Sequence, residues 1–186
     1  MQAWRVLSRK ARPSSEVGTD GDREKIVMIT GMAHTGVCVP DVEEAVEWYR
    51  SVLGLSVLIP PTEMEGDDLE RDMGELVPGV VMKAAILGFE GSGDQVLEVI
   101  EYPKHRGRPR PANATITDHG FTHVGLVCDD IETTRADLEA RGVEFLTRGI
   151  ASIAGLKTTW LRDPYGLVYI LIEKSKPSTS YYAQTF

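Results

Sequence analysis

The sequence contains an internal repeat in which the second copy starts 89 residues after the first. The segment HTGVCVPDVE begins at His34, and the related segment HVGLVCDDIE begins at His123. Four positions carry the same residue type in both copies, namely His34 and His123, Gly36 and Gly125, Asp41 and Asp130, and Glu43 and Glu132. A repeat of this length constrains the architecture strongly, because each copy must form a similar unit.

Each copy has the pattern β-α-β-β-β. In the first copy, the run that contains His34 is strand-like, and VEEAVEWYRSVLG has helical spacing of apolar residues up to Gly54. LSVLIPP predicts a second strand, and VMKAAILGF and QVLEVIEY predict a hairpin around the turn EGSGD. In the second copy, FTHVGLVCD, VEFLTRGI, LKTTWLR and LVYILIEK predict strands, and IETTRADLEARG predicts the helix.

The repeat predicts an α+β fold with two βαβββ modules that form a curved eight-stranded sheet around a cleft. We expect the modules to span residues 28–103 and 120–176, with a linker at 104–119 and a C-terminal tail at 177–186. Residues 1–27 are predicted to be a disordered extension. Because this segment opens with basic residues, a transit peptide is the alternative interpretation.

Composition limits the possible partners. The chain has 28 acidic and 20 basic residues and a formal charge of −8, which argues against a nucleic-acid partner and favours a small molecule. No apolar run approaches the roughly 20 residues that span a bilayer, so we expect no membrane association. Cys38 and Cys128 both lie in apolar runs, as reduced thiols of a cytoplasmic protein would.

Three residues of the repeat suggest a metal site. Strand alternation places Val96, Glu98, Ile100 and Tyr102 on one face of QVLEVIEY, opposite its remaining apolar residues. A carboxylate in such a strand is costly unless a cation or hydrogen-bond donors satisfy it. His34 and His123 head equivalent strands, so these histidines and Glu98 could converge on a divalent metal. For either histidine alone, a hydrogen-bonded core position is the simpler interpretation.

Several motifs resemble those of the vicinal oxygen chelate superfamily, which includes glyoxalase I, methylmalonyl-CoA epimerase, extradiol dioxygenases and bleomycin resistance proteins. They are the openings HTGVCVPD and HVGLVCDD, the hairpin ELVPGVVMKAAILGF…QVLEVIEY and the ending RDPYGLVYILIE. The resemblance covers about residues 30–175. It implies a divalent metal, such as Zn, Ni, Co, Mn or Fe, with His34, Glu98 and His123 as ligands.

The resemblance fails at the fourth ligand. In the last strands of the two copies the offset becomes 72, because the loops differ in length, and VLEVIE at 96–101 aligns with VYILIE at 168–173. Superfamily members typically keep a second glutamate in the last strand, at the position that this alignment assigns to Ile170. Glu173 corresponds to Glu101 and is expected on the opposite face, because only a register slip would bring it to the metal. The resemblance therefore leaves Glu98 as the candidate catalytic residue, and Val96, Ile100, Tyr102 and Ile170 as candidate substrate-binding residues.

The resemblance implies a lyase or isomerase of the glyoxalase and epimerase type, which acts on a small oxygen-chelating substrate through an enediolate. Two alternatives remain open. Two histidines and one carboxylate are also the ligand set of iron oxygenases, so an extradiol-like dioxygenase is the second interpretation. The third is a protein that binds a small molecule without chemistry, as bleomycin resistance proteins do. The resemblance also implies a homodimer.

Overall fold

The computed structural model describes residues 31–91, 93–111, 113–153 and 155–183. The predicted N-terminal extension lies outside the described residues. The first module consists of β1 (His34–Cys38), α1 (Val42–Leu53), β2 (Ser56–Met64), α2 (Asp67–Met73), β3 (Met82–Gly88) and β4 (Val96–Glu101). The second consists of β5 (Val124–Cys128), α3 (Ile131–Ala140), β6 (Glu144–Phe145), β7 (Ala151–Ile153), β8 (Leu156–Arg162) and β9 (Val168–Lys174), before a short 3-10 helix (Tyr181–Ala183).

The predicted fold class is confirmed, and the strands form one sheet for each module. The first sheet has the order β1-β4-β3-β2, and the second has the order β5-β9-β8-β6, with β7 also paired to β8. The outermost predicted strand of the second module, VEFLTRGI, is reduced to two residues in β6. The Thr147 hydroxyl accepts a hydrogen bond from the Trp160 amide at 3.2 Å, where a strand would offer a backbone carbonyl. The described strands therefore number nine, in two sheets.

A carboxylate from the last strand of each module holds the helix of that module. Glu101 on β4 accepts the backbone N–H of Val42, the first residue of α1, at 3.0 Å. Glu173 on β9 accepts the N–H of Ile131, the first residue of α3, at 2.9 Å. The first amides of a helix lack partners within the helix and favour negative charge, so each contact is stabilising. Both helices are thereby held against the face that carries Glu101 or Glu173.

The two modules share one hydrophobic core, with Tyr49 of α1 reaching into the second module. The Tyr49 hydroxyl donates to a carboxylate oxygen of Asp163 at 2.6 Å, and the Tyr169 hydroxyl donates to the same oxygen at 3.2 Å. The other oxygen accepts the backbone N–H groups of Tyr165 and Leu167 at 2.9 and 2.8 Å. Burial raises the pKa of Asp163, and these four donors oppose that rise.

Each sheet packs its helix-bearing face into the shared core, to which both α1 and α3 contribute. The opposite side of each sheet, which we call the open face, carries Glu98 in the first module and Ile170 in the second. On β4, Leu97 and Val99 are buried towards the helices, whereas Val96, Glu98 and Ile100 on the open face remain partly exposed. The alternation predicted for this strand is therefore present, and the open face is where a ligand can reach the first sheet.

The elements of the first module lie within residues 28–103, and those of the second lie within 120–176. The boundaries of the modules themselves remain predictions. Within the described ranges, no helix is both long and apolar enough to cross a membrane.

We expect Tyr49→Phe to lower the free energy of unfolding by about 1–3 kcal/mol, because a buried carboxylate oxygen loses a donor from the other module. Urea unfolding followed by circular dichroism measures this change. Tyr165→Phe is the matched control, since Tyr165 donates to Asp163 through its backbone amide, which the substitution retains. An equal loss of stability in the two variants would contradict the role of Tyr49 in joining the modules.

Candidate functional site

His34 and Glu98 meet on the open face of the first sheet. His34 begins β1, and Glu98 lies in the middle of β4, the neighbouring strand. The His34 Nε2 and Glu98 Oε2 atoms are 3.1 Å apart, and the side chains are 50% and 21% exposed. A largely covered carboxylate is thus paired with an imidazole that solvent reaches.

The strand register makes Ile170 the counterpart of Glu98. Gly36 pairs with Glu98 between β1 and β4, and Gly125 pairs with Ile170 between β5 and β9. A Cβ atom placed on Gly36 would lie 3.9 Å from Glu98 Oε2, and one placed on Gly125 would lie 3.9 Å from Ile170 Cγ2. Each side chain therefore lies over the equivalent glycine. The second module replaces the carboxylate of the first with an aliphatic group.

His123 lies just before β5 on an exposed part of the chain. Its ring packs edge-on against Trp160, with 4.8 Å between the ring centroids. The Thr122 hydroxyl forms a hydrogen bond with His123 Nδ1, and among the described residues Nε2 has no hydrogen-bond partner. The second histidine of the repeat thus has an aromatic neighbour where the first has a carboxylate.

The first-module pair fits a divalent cation better than the full set of three residues does. Two ligand atoms bound to one cation at about 2.1 Å lie about 3–3.4 Å apart, so the 3.1 Å between His34 Nε2 and Glu98 Oε2 is suitable. The ligand atoms of His34, Glu98 and His123 do not all lie within 4.8 Å of one another. Imidazole nitrogen and carboxylate oxygen are nevertheless the donors that Zn, Ni, Co and Fe accept.

The four residues predicted to bind substrate are all partly exposed. Val96 and Ile100 flank Glu98 on the open face, and Tyr102 follows directly after β4. Burial raises the pKa of Tyr102, and the negative charges of the Cys38 thiolate and Glu98 would add to that rise. Tyr102 therefore keeps its proton at neutral pH and can donate a hydrogen bond. Ile170 provides an apolar surface on the second sheet.

Two neighbours of this site were not predicted from the sequence. Cys38 is exposed and shares the parity of His34 and Gly36 on β1, which places it on the open face. Trp160 pairs with Ile170 across β8 and β9 and contacts His123. Alternation along LKTTWLR gives Trp160 the same face as Thr158 and Arg162, and this signal was available in the sequence.

A comparison with known protein families shows to which family the chain belongs. The model of the Glyoxalase/Bleomycin resistance protein/Dioxygenase superfamily matches residues 31–169. The chain belongs to this superfamily. Among curated proteins, the uncharacterized protein YwbC of Bacillus subtilis (strain 168) is 24% identical over 134 residues, which cover 72% of this chain and 89% of YwbC.

Solved structures of the superfamily have the same fold. A glyoxalase family protein from Bacillus cereus aligns with a TM-score of 0.70 and 16% identity, over 82% of this chain and 99% of that one. A V278E mutant of glyoxalase I from Zea mays aligns with a TM-score of 0.55 and 18% identity. That alignment covers 78% of this chain and 45% of the maize chain, so this protein spans just under half of it. At these identities the likeness establishes the fold alone.

A second group of potential metal ligands lies on the helix face of the first module. Oxygen atoms of Asp41, Glu43 and Glu101 come within 4.8 Å of one another. Asp41 caps α1 by accepting the Glu44 N–H at 2.9 Å, and Glu101 accepts the N–H of Val42, the first residue of α1. Glu43 forms an ion pair with Lys83. Each carboxylate therefore already has a donor or a cation.

The same arrangement recurs in the second module. Asp130 caps α3 by accepting the Thr133 N–H at 2.7 Å, and Lys157 lies 3.1 Å from both Glu132 and Glu173. Lys157 pairs with Glu173 across β8 and β9, as Lys83 pairs with Glu101 across β3 and β4. An arrangement present in both modules and fully paired in each is explained by helix anchoring. The acidic groups of the helix face therefore have a structural role that the His34–Glu98 pair of the open face does not share.

We expect Glu173→Gln to make stability less dependent on pH below about 5. The Ile131 N–H and Lys157 hold the pKa of Glu173 below its ordinary value of 4.5. A carboxylate with a lowered folded-state pKa contributes stability above its unfolded pKa and loses it as the pH falls through its folded pKa. The free energy of unfolding of the original protein should therefore fall more steeply between about pH 5 and pH 3 than that of the variant.

Urea unfolding at a series of pH values measures this difference. Glu75→Gln removes the same charge from an exposed position outside the anchor and serves as the control. Equal pH dependence in Glu173→Gln and the original protein would contradict the anchoring role.

Proposed function

We propose that the protein is a divalent-metal-dependent enzyme, a lyase or isomerase of the glyoxalase and epimerase type, with a small oxygen-chelating substrate. In this proposal His34, Glu98 and His123 hold the cation. Zn, Ni, Co, Mn and Fe all suit such a donor set. Membership of the superfamily supports the class of protein, and the residues of the open face support the reaction.

The observation that carries the proposal is the contact between His34 and Glu98. Glu98 is 21% exposed, and its ion-pair partner among the described residues is the His34 imidazole. Unlike Glu101 on the same strand, Glu98 accepts no helix amide in the part of the chain that the structure describes. A covered carboxylate has a free-energy cost that a functional cation or a transferred proton would justify.

When bound, a divalent cation would polarise the vicinal oxygens of the substrate and make the adjacent C–H bond more acidic. The Glu98 carboxylate is the proposed general base, which accepts the proton from that carbon and returns it to the neighbouring carbon of the enediolate. The His34 imidazole fixes the orientation of the carboxylate through their contact at 3.1 Å. Tyr102 keeps its proton and can donate a hydrogen bond to a substrate oxygen.

The proposed walls of the site are apolar. Val96 and Ile100 lie on either side of Glu98, and Ile170 lies at the equivalent position of the second sheet. Aliphatic surface around a base and a cation excludes water, which strengthens the electrostatic interactions with the substrate. A compact substrate with a short apolar portion suits these walls best.

One observation favours a second candidate, a protein that binds a small molecule without chemistry. The second module has Ile170 in place of a carboxylate, and His123 does not join the other two donors within 4.8 Å. Such a protein would use the same walls and bind no metal. Glu173, which faces α3, offers no support to the dioxygenase alternative, because its carboxylate is already bound to Ile131 and Lys157.

We also propose that the protein is a cytoplasmic homodimer. Both cysteines are free, which suits a reducing compartment. Strand β2 lies at the edge of the first sheet and exposes the apolar side chains of Val57, Leu58 and Ile59, as a subunit interface would. Light scattering during size-exclusion chromatography should give twice the mass of one chain, and the mass of one chain would contradict the dimer.

Metal content tests the enzyme proposal. Protein purified without a histidine tag should carry a near-stoichiometric divalent metal by elemental analysis, or should bind one in calorimetry. His34→Ala, Glu98→Gln and His123→Ala should each weaken that binding by at least about tenfold. Glu101→Gln is the matched control, because it neutralises a carboxylate three residues away on the helix face of the same strand. This variant should bind metal as the original protein does.

Proton transfer tests the reaction itself. Metal-loaded protein in D2O should incorporate deuterium at the carbon beside the chelating oxygens of an α-hydroxycarbonyl compound, as detected by NMR across a panel of such compounds. Glu98→Gln should abolish this exchange. A protein that carries no metal, binds none of the added cations and exchanges no proton would contradict the enzyme proposal and favour the binding protein.

A further inference from the structure

A recess of about 130 Å³ lies between the linker and the second sheet. Two arginines, Arg110 of the linker and Arg162 of β8, contribute to its lining. The apolar part of the lining consists of Pro111, Ala114, Ile116 and Val168. The recess is separate from the His34–Glu98 pair, and no part of the proposed reaction uses it.

Both guanidinium groups retain unused donors. Arg110 donates one N–H to the Gly166 carbonyl at 3.2 Å, which holds its side chain over the turn before β9. Within the described ranges, the hydrogen-bond partner of the Arg162 side chain is Glu144, at 3.5 Å, which lies at the limit of a hydrogen bond. A guanidinium has five N–H donors in a planar fork that matches a carboxylate or a phosphate. Most donors of this pair are therefore available to a ligand in the recess.

The register of the second sheet places the recess beside His123. Val124 pairs with Tyr169, so the preceding residue, His123, lies beside Val168, and Val168 pairs with Arg162 on the next strand. His123, Val168 and Arg162 thus form one row across β5, β9 and β8. Neighbouring strands are about 4.8 Å apart, so the backbones of His123 and Arg162 lie about 10 Å apart. A ligand of several carbons can span that distance.

We propose that the recess binds the oxyanion of a small organic acid, with the carboxylate between Arg110 and Arg162 and a short apolar segment against Ile116 and Val168. This inference rests on the proposed function only in identifying that acid as the substrate. The chelating oxygens of the substrate would then lie towards His123. The chain carries a formal charge of −8, so two arginines beside an apolar wall create a local attraction for an anion that the overall charge does not provide.

The proposal predicts binding of butyrate by the protein without metal. In EDTA-treated protein, saturation-transfer NMR should show contact between the protein and the butyrate chain, and 1-butanol, which has the same chain without charge, should bind at least about tenfold more weakly. Arg110→Gln and Arg162→Gln should each weaken butyrate binding by at least about tenfold. Arg106→Gln, in the same linker but outside the recess, should leave it unchanged.

The outcomes separate this proposal from the proposed function. His34→Ala should bind butyrate normally, so an oxyanion site that survives in a protein unable to bind metal would uphold the recess even if the enzyme proposal fails. Arg162→Lys keeps the charge without the planar fork and should bind butyrate with an affinity between those of the original protein and Arg162→Gln. This variant distinguishes loss of the binding group from loss of folding in Arg162→Gln. Equal binding of butyrate and 1-butanol, or no loss in either glutamine variant, would overturn the proposal. Competition by inorganic phosphate would identify a general oxyanion site, and its absence a carboxylate site; either result upholds the two-arginine contact.

Discussion

The contact between a last-strand carboxylate and the first amide of a helix determines which side of each sheet is available for function. Glu101 and Glu173 make this contact in the two modules. A lysine on the neighbouring strand forms an ion pair beside each contact, Lys83 with Glu43 and Lys157 with Glu132 and Glu173. The helices are held on that side and build one shared core. The opposite side therefore stays open, and Glu98, which lies on that side of β4, is left without a helix amide as partner.

The duplicated scaffold has diverged where chemistry is proposed. The helix anchors are the same in both modules, with Asp41 and Asp130 as caps. On the open face, in contrast, Glu98 and Ile170 occupy equivalent positions, and His34 contacts a carboxylate where His123 contacts Trp160. The anchors hold the helix of each module, whereas the proposed chemistry needs a polar centre in one module only. In the proposed function, the polar pair of the first module and the apolar surface of the second belong to one ligand site.

Much of this architecture was predictable from the sequence. The repeat predicted both modules, and alternation along QVLEVIEY predicted the face of Glu98, because side chains of a strand must alternate. The position of Ile170 followed from the same alignment and agrees with the register of β9. These features depend on local pattern, which a sequence carries directly. Membership of the Glyoxalase/Bleomycin resistance protein/Dioxygenase superfamily, shown by the match to residues 31–169, agrees with them.

Features that depend on long-range packing were not predictable. The contact between His123 and Trp160 joins the residue before β5 to a residue of β8, and β9 lies between these two strands. The recess of Arg110 and Arg162 requires the linker to fold over the second sheet. The sequence assigned residues 104–119 as a linker but not their path over the second sheet, because the segment contains no periodicity. The bond from Tyr49 to Asp163 crosses 114 residues of sequence, so its partner could not be read from the helix pattern alone.

Anomalous diffraction from a cobalt-loaded crystal tests the central claim most directly. It shows whether the cation lies at the His34–Glu98 pair of the open face or at the acidic group of the helix face. The account predicts a peak within bonding distance of His34 Nε2 and Glu98 Oε2, on the open face. A peak at Asp41, Glu43 and Glu101 on the helix face would contradict it. So would a crystal without a peak in which His34 and Glu98 remain in direct contact.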